Sequence, residues 1–215
     1  MSRPAPTESA QLRGPDGAIE ALVDTPETVR GIALVCHPHP LFGGANTNKI
    51  THTLARSFRE LGYAAVRPNF RGVGKSEGRH THGDAETEDM LAVIAWARSR
   101  WGELPLALGG FSFGAFVQTR VAQRLADGGT PAQRIVLVGT ATGAVAGARS
   151  YTTETVPKDT LVIHGADDDN VPLANVLEWA KPQELPVVVV PGADHFFHGK
   201  LHLIRDIIGR NWAPL

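Results

Sequence analysis

Hydrophobic residues in this chain follow two patterns that alternate along its length. Short continuous apolar runs predict strands buried on both faces of a sheet. These runs are Gly31–Pro38, "YAAVRP" from Tyr63, "PLALGG" from Pro105, "RIVLVG" from Arg134, "TLVIHG" from Thr160 and "PVVVVPG" from Pro186. Two further short strands are predicted on either side of the Gly-Pro-Asp-Gly turn in "QLRGPDGAIEALVD", residues 11–24.

The segments between these runs repeat their apolar residues at helical spacing. One such stripe is Ile50, Leu54, Phe58 and Leu61, which stops at Gly62, and another is Met90, Ile94, Ala97 and Trp101. Helices are also predicted from Phe113 to about Leu125, from Pro172 to Ala180 and from His198 to Trp212. Strands alternating with helices predict an α/β protein with a mostly parallel, twisted sheet of about 7–8 strands and helices on both faces.

Composition narrows the class of protein. With 215 residues, 42% hydrophobic and 20% charged, the chain fits one domain over 11–215 after a flexible N-terminus at 1–10. A net charge of −1 gives no reason to expect a nucleic-acid or membrane partner. A single cysteine and no visible secretory signal predict a cytoplasmic protein, which we expect to be a monomer or homodimer.

The stretch "LALGGFSFGAFVQ", residues 106–118, passes from a strand pattern to a helix pattern at Ser112. Gly110 to Gly114 reads Gly-x-Ser-x-Gly, the sequence of a nucleophile elbow. In such an elbow the serine sits at a strained strand-to-helix turn, and the glycines avoid clashes with nearby backbone. A plain turn would explain the glycines but would not need the serine, so we interpret Ser112 as a nucleophile.

A serine nucleophile needs a base, and the base needs an acid that orients it. After an elbow the expected chain order is Ser, Asp, His. "TLVIHGADDDNVP" supplies the acid from Asp167, Asp168 or Asp169, of which Asp168 fits the spacing best. "PVVVVPGADHFFHGK" supplies His195, with His198 as a competitor placed near the start of the last helix.

Several stretches together resemble the signatures of the small, lidless α/β-hydrolases, a group of bacterial hydrolases and carboxylesterases. They are "LVCHPHPLFGGANTNK", "AVRPNFRGVGKSEG", "GGFSFGAFV", "LVIHGADDDNVP" and "GADHFFHGKL", in the family's order between about Gly31 and Leu201. The resemblance implies the α/β-hydrolase fold, with Ser112 as nucleophile, Asp168 as acid and His195 as base. It implies no metal or organic cofactor.

The resemblance also implies an oxyanion hole of two backbone N–H groups. One belongs to Phe113, the residue after the nucleophile, and the other to the loop after "ALVC". Pro38 and Pro40 have no N–H and are excluded. The resemblance makes the backbone N–H of His39 the first choice, because His39 matches the family's residue after "HG", and Leu41 is the second. The aromatic residues expected to line an acyl pocket are Phe42, Phe113 and Phe196.

Other chemistries have weaker support. Gly74-Lys75-Ser76 ends like a phosphate-binding P-loop, but Asn69 stands where its first glycine belongs. "HTHGDA", residues 80–85, resembles a zinc motif but has Ala85 at the last ligand, and no carboxylate or cysteine set accompanies the pair His37 and His39. Cys36 ends an apolar strand and is expected to be a buried small hydrophobe.

The sequence therefore predicts a serine hydrolase of carboxylesterase type. Residues 140–159 separate two late strands where this fold often carries a lid, but they are too few for a substantial lid domain. We therefore expect an open site for small, short-chain acyl esters. A thioesterase, an amidase or a peptidase would use the same residues, and a non-catalytic binding protein of this fold is the alternative from another class.

Overall fold

The computed structural model describes residues 6–147 and 149–212. Its strands and helices alternate for most of that length. The strands are β1 (Glu8–Gly14), β2 (Gly17–Asp24), β3 (Gly31–Cys36), β4 (Tyr63–Pro68), β5 (Leu106–Phe111), β6 (Arg134–Val138), β7 (Gly143–Val145), β8 (Arg149–Tyr151), β9 (Leu161–Gly165) and β10 (Val187–Val190). The helices are α1 (Lys49–Glu60), α2 (Asp84–Trp101), α3 (Phe113–Asp127), α4 (Leu173–Ala180) and α5 (Leu201–Asn211).

Eight of these strands form one sheet in the order β1-β2-β4-β3-β5-β6-β9-β10. Strand β2 pairs antiparallel with β1 and β4, and the pairings from β4 to β10 are parallel. This is the predicted mostly parallel α/β sheet. The parallel strands place their carboxyl ends at one edge, where loops from several strands meet.

The sheet is covered on both faces because its central strands are apolar on both sides. Successive residues of β3 point to opposite faces, so Leu34 lies in one core cluster and Val35 in the other. Helices α2, α3 and α4 cover the Leu34 face, and α1 and α5 cover the Val35 face. Helix α1 begins at the predicted stripe because Asn48 Oδ1 accepts hydrogen bonds from the N–H groups of Ile50 and Thr51.

Two boundaries differ from the prediction. The expected flexible N-terminus at 1–10 is wrong for Glu8–Ala10, because β1 already pairs there with β2 and Glu8 lies opposite Val23. Thr7 Oγ1 donates a hydrogen bond to Asp24 Oδ1 (2.6 Å), and residues 1–5 of that prediction fall outside the described residues. The last helix begins at Leu201 rather than His198, because the chain first turns at Phe197, where φ is 51°.

The segment between β6 and β9 carries a hairpin that the sequence did not predict. Strands β7 and β8 pair antiparallel and form a separate two-stranded sheet. In its described part this segment holds no helix, in agreement with the expected lack of a substantial lid. Across residues 6–147 and 149–212, each helix is too short or too polar to span a bilayer.

Candidate active site

Ser112 lies at a sharp turn between the last residue of β5 and the first residue of α3. Its backbone has φ 55° and ψ −116°, a conformation that L residues rarely adopt. The sheet and helix on either side hold this strained residue in place. The turn lifts the serine out of the strand and puts it at the carboxyl edge of the sheet, as the elbow motif predicts.

The glycines on either side are required by close backbone contacts. A Cβ on Gly110 would lie 2.5 Å from the carbonyl oxygen of Gly114 and 2.6 Å from the Cα of Ala115. A Cβ on Gly114 would collide with the carbonyl oxygens of Cys36 and His37 at the end of β3. Only residues without a side chain therefore let α3 start this close to the neighbouring strand.

Three side chains from separate loops form a continuous chain of contacts at this turn. The Nε2 atom of His195 lies 3.1 Å from Ser112 Oγ. The Nδ1 atom of the same ring lies 2.7 Å from Asp168 Oδ2. The side chains of Asp168 and His195 are almost fully shielded from water, at 0% and 5% exposure. Arranged in this way, a hydroxyl, an imidazole and a carboxylate can pass a proton from oxygen to nitrogen.

The carboxylate of Asp168 is fixed by its own loop. Its Oδ1 atom accepts hydrogen bonds from the N–H groups of Asn170 (3.0 Å) and Val171 (2.7 Å). The ring of His164 lies beside it, with Nε2 3.4 Å from Asp168 Oδ2 and 2.9 Å from the Val171 carbonyl oxygen. Burial lowers the pKa of His164, so this ring is neutral and adds no second positive charge beside the acid.

The competing residues lie elsewhere. Asp167 and Asp169 are exposed to solvent, whereas Asp168 is buried. His198 contacts Asp194 instead of the serine, with Nδ1 2.5 Å from the carboxylate, and both are on the surface. That contact with His198 holds the pKa of the Asp194 carboxyl below its usual range. The structure thus brings Ser112, Asp168 and His195 into contact and leaves the competing Asp167, Asp169 and His198 outside this group.

The candidate oxyanion donors differ in their hydrogen bonds. Phe113 is the first residue of α3, where a helix leaves backbone N–H groups without internal partners. The N–H of Leu41 lies 3.3 Å from His39 Nδ1, so the imidazole of His39 already accepts this donor. His39 caps the short 3₁₀ turn Pro40–Phe42. Because the Leu41 N–H already has this partner, the backbone N–H of His39 is the better candidate for the second oxyanion donor.

The imidazoles of the "CHPHP" loop have structural partners. His37 is fully buried, its Nδ1 donates to the Pro38 carbonyl oxygen (2.7 Å) and its Nε2 accepts from the Phe70 N–H (2.9 Å). Burial lowers the pKa of His37 to about 4. Burial, with the nearby charges of His80 and Arg149, also lowers the pKa of His39 to about 4. Both rings are therefore neutral near pH 7.

A cavity of about 360 Å³ opens beside Ser112 and His195. Phe42 and Phe196, two of the residues expected at an acyl pocket, line this cavity. Phe113 does not, and the expectation for its side chain is wrong. That ring is 1% exposed and lies beneath the site, with its centroid 4.9 Å from that of His39. The residue after the nucleophile starts α3, so its side chain points into the core while its N–H stays at the turn.

Sequence reasoning missed several residues that line this cavity. They are Asn48, Arg149, Tyr151 and Asn170, from three separate segments. Asn170 follows the acidic cluster in "DDDNVP", so its position after β9 was a usable signal. Arg149 and Tyr151 lie on β8, whose three residues are too few to show an alternating pattern.

The alternative chemistries find no support in the contacts. The N–H of Lys75, in the P-loop-like segment, donates to the carboxylate of Glu20 (3.0 Å), so an anion already occupies that donor. Within the described residues, no group of three or more His, Cys, Asp or Glu side chains is placed to hold a metal ion. Cys36 is buried, and burial raises the pKa of its thiol.

The chain is similar to a known family and to solved structures of α/β serine hydrolases. The family model described as X-Pro dipeptidyl-peptidase (S15 family) matches residues 18–130, more than half of the chain. A lidless α/β serine hydrolase from Xanthomonas campestris is 35% identical with a TM-score of 0.84, over 97% of this chain and 94% of that one. An α/β serine hydrolase homologue from Coxiella burnetii is 36% identical with a TM-score of 0.83, over 99% and 100%.

Curated relatives match only in part. The lysophosphatidylserine lipase of Danio rerio is 36% identical over 105 residues, which are 47% of this chain and 27% of the lipase. The chain therefore spans about a quarter of that lipase's length, and about half the length of a further curated relative from Rickettsia prowazekii. The two solved structures, by contrast, align over nearly their whole length.

Proposed function

The chain belongs to the α/β serine hydrolases, and we propose that it cleaves small short-chain acyl esters through Ser112, His195 and Asp168. Its described residues, 6–147 and 149–212, contain no lid domain. The observation that carries this proposal is the pair of contacts made by one imidazole. His195 reaches Ser112 Oγ with one nitrogen and Asp168 with the other. A base held in this way is what a serine nucleophile requires.

The proposed cycle is acyl transfer. His195 Nε2 takes the proton of Ser112 as Oγ attacks the ester carbonyl carbon, and the carbonyl oxygen becomes negative. The N–H groups of Phe113 and His39 would stabilise this oxyanion, with Leu41 as the second choice. A single donor of this kind typically contributes about 3 kcal/mol to transition-state stabilisation. The imidazolium then protonates the leaving alcohol, and water attacks the acyl-enzyme in the same way.

The shape of the site supports a small substrate. A cavity of about 360 Å³ is near the lower end of the range for small-molecule sites, about 300–1,000 Å³. Phe42 and Phe196 at its mouth are 66% and 45% exposed, so they offer apolar surface without closing over the serine. We therefore propose a preference for acetyl and butyryl esters over long-chain ones.

A peptidase is the second candidate, since the matching family is described as an X-Pro dipeptidyl-peptidase. A peptide with a free amino terminus carries a positive charge, which a carboxylate in the site would have to balance. No aspartate or glutamate is among the residues lining this cavity, and Arg149 is. This charge favours an ester or thioester over a peptide with a free amino terminus.

The remaining features are proposals drawn from the sequence. We propose that the hydrolase works in the cytoplasm as a monomer or homodimer. It would need no metal or organic cofactor and no nucleic-acid or membrane partner. The non-catalytic alternative is less well supported, because Ser112, His195 and Asp168 are all present and in contact.

The test is hydrolysis of p-nitrophenyl acetate, butyrate and decanoate, each with and without EDTA. We expect wild-type protein to favour acetate and butyrate, to be indifferent to EDTA and to lose activity in Ser112→Ala. Ser99→Ala, an exposed serine on α2, is the matched control and should retain wild-type rates. Activity that survives in a folded Ser112→Ala variant would reject the serine mechanism. Faster cleavage of decanoate than butyrate would reject the short-chain preference.

A further inference from the structure

Arg149 projects from β8 to the cavity beside Ser112. Its guanidinium carbon lies 4.3 Å from the centre of the Phe42 ring, a cation–π contact. Its Nε and Nη2 atoms both donate to the carbonyl oxygen of Ala146, at 3.1 and 2.8 Å. These contacts hold the guanidinium in one orientation at the rim of the site.

No carboxylate balances this charge in the part of the chain that the structure describes, where no ion pair involves Arg149. Two arginines that are buried in the described residues do pair with carboxylates. Arg67 contacts Asp24 at 2.8 Å, and Arg71 contacts Asp89 at 2.9 Å. His39, which lines the cavity, is neutral near pH 7. Among the described residues that line the cavity, Arg149 is the one lysine or arginine, and none is an aspartate or glutamate.

The guanidinium still has hydrogen-bonding capacity toward the cavity. Arginine has five N–H donors, and the Ala146 carbonyl accepts from two of them. The contact from Nη1 to Tyr151 Oη is long, at 3.4 Å. Nη1 and the second N–H of Nη2 remain as a pair that matches the two oxygens of a carboxylate or phosphate. Tyr151 also lines the cavity, and a tyrosine hydroxyl can donate a further hydrogen bond.

We propose that Arg149 is a specificity-determining residue that binds an anionic group on the substrate, so that the preferred substrates are acyl esters carrying a carboxylate or a phosphate. This inference rests on the proposed esterase function and adds the substrate class. An anion placed there would gain a charge-assisted bidentate contact and would meet no acidic side chain of the cavity lining. Phe42 would keep the guanidinium in place before the substrate arrives.

The test compares two pairs of matched esters, each with one anionic and one neutral member. The carboxylate pair is 4-nitrophenyl hydrogen glutarate and its methyl ester, and the phosphate pair is 1-butyrylglycerol 3-phosphate and 1-butyrylglycerol. We expect wild-type kcat/KM to favour the anionic member of at least one pair by about 10- to 100-fold. KM for that ester should rise as NaCl is increased from about 0.02 to about 0.5 M, because the screening length then falls from about 20 to about 4 Å.

Arg149→Met should remove this preference. Arg149→Lys should keep part of it, because a lysine retains the positive charge but lacks the paired N–H donors of the guanidinium. Arg13→Met removes the same charge from an exposed position on β1 and should keep the wild-type preference. A preference confined to one pair would identify which anion the site accepts. Equal kcat/KM values within both pairs, or a preference that persists in Arg149→Met, would overturn the proposal.

A separate arm distinguishes failure of this inference from failure of the esterase proposal. If no ester is hydrolysed, calorimetry of the Ser112→Ala protein with 4-nitrophenyl hydrogen glutarate and with 1-butyrylglycerol 3-phosphate tests binding alone. Binding of either ester that disappears in the double variant Ser112→Ala, Arg149→Met would retain the anion site and reject the esterase. If neither ester binds to Ser112→Ala, the anion site is rejected as well.

Discussion

Asp168 and His195 meet through a 2.7 Å contact between Oδ2 and Nδ1 that is almost fully shielded from water. The carboxylate accepts two backbone N–H groups through its other oxygen, so it is held in one orientation. An acid placed in this way fixes the tautomer of the imidazole and stabilises the imidazolium that forms during proton transfer.

Replacement of this acid by its amide is the first prediction. Asp168→Asn keeps the size of the side chain but removes the charge that orients His195. We expect kcat for p-nitrophenyl butyrate to fall by about 10⁴-fold, the loss typical of a serine triad whose acid becomes an amide. The exposed neighbours provide matched controls, since Asp167→Asn and Asp169→Asn remove the same charge from the same loop. A comparable fall in either control would mean that the acid is misassigned.

The close approach of α3 to β3 predicts opposite effects for one substitution at two glycines. Gly114→Ala would push a methyl group into the carbonyl oxygens of Cys36 and His37. We expect the free energy of unfolding to fall by about 1–3 kcal/mol and activity to be lost with it. Gly209 lies in α5 with open space around it, so Gly209→Ala should stabilise the protein by about 0.5–1 kcal/mol. Urea unfolding of both variants measures these changes, and a neutral Gly114→Ala would contradict the packing at the elbow.

Low pH should destabilise the folded protein through His37. Burial lowers the pKa of this imidazole from 6.5 to about 4, so the unfolded chain binds a proton there more readily than the folded protein. The contribution of this difference to the free energy of unfolding is about 3 kcal/mol. It is fully present above pH 6.5 and is lost as the pH falls to about 4. We expect the urea concentration at the midpoint of unfolding to decrease as the pH is lowered from 6.5 to about 4. This decrease should be smaller in His37→Gln.

The control for this acid effect is His202→Gln, which removes an exposed histidine of α5. This variant should follow the wild-type dependence of unfolding on pH. An identical pH dependence in wild type and His37→Gln would show that His37 does not bind protons differently in the two states.

Much of the fold was predictable because its signals are local. The buried strands and the Gly-x-Ser-x-Gly turn each depend on neighbours in sequence, and the structure contains them where they were expected. The N-terminal boundary was not predictable in this way. Glu8–Ala10 look polar, and they are ordered into β1 only because β2 offers a pairing edge. The position of the Phe113 side chain could not be predicted for a similar reason. The burial of its ring depends on His39 and on other residues that are distant in sequence.

The determinants of substrate choice were the least predictable part. Arg149 is 37 residues from Ser112 along the chain, and only the fold of the β7–β8 hairpin places it at the cavity. Nothing in "GARSY" marks an arginine without a carboxylate partner, because ion pairs between distant segments cannot be read from local sequence. The residues proposed to carry out the reaction lie in recognisable sequence motifs. The residues proposed to select a substrate are instead placed by the conformation of the loops.

The most direct measurement is covalent labelling of the protein with a fluorophosphonate, followed by peptide mass spectrometry. Such a probe reacts with a serine whose hydroxyl is activated by a base. We predict one label, on Ser112, that is absent in Ser112→Ala, strongly slowed in His195→Gln and unchanged in His198→Gln. Labelling of a different serine, or equal labelling of Ser112 in the folded His195→Gln protein, would contradict the assignment of Ser112 as a nucleophile activated by His195.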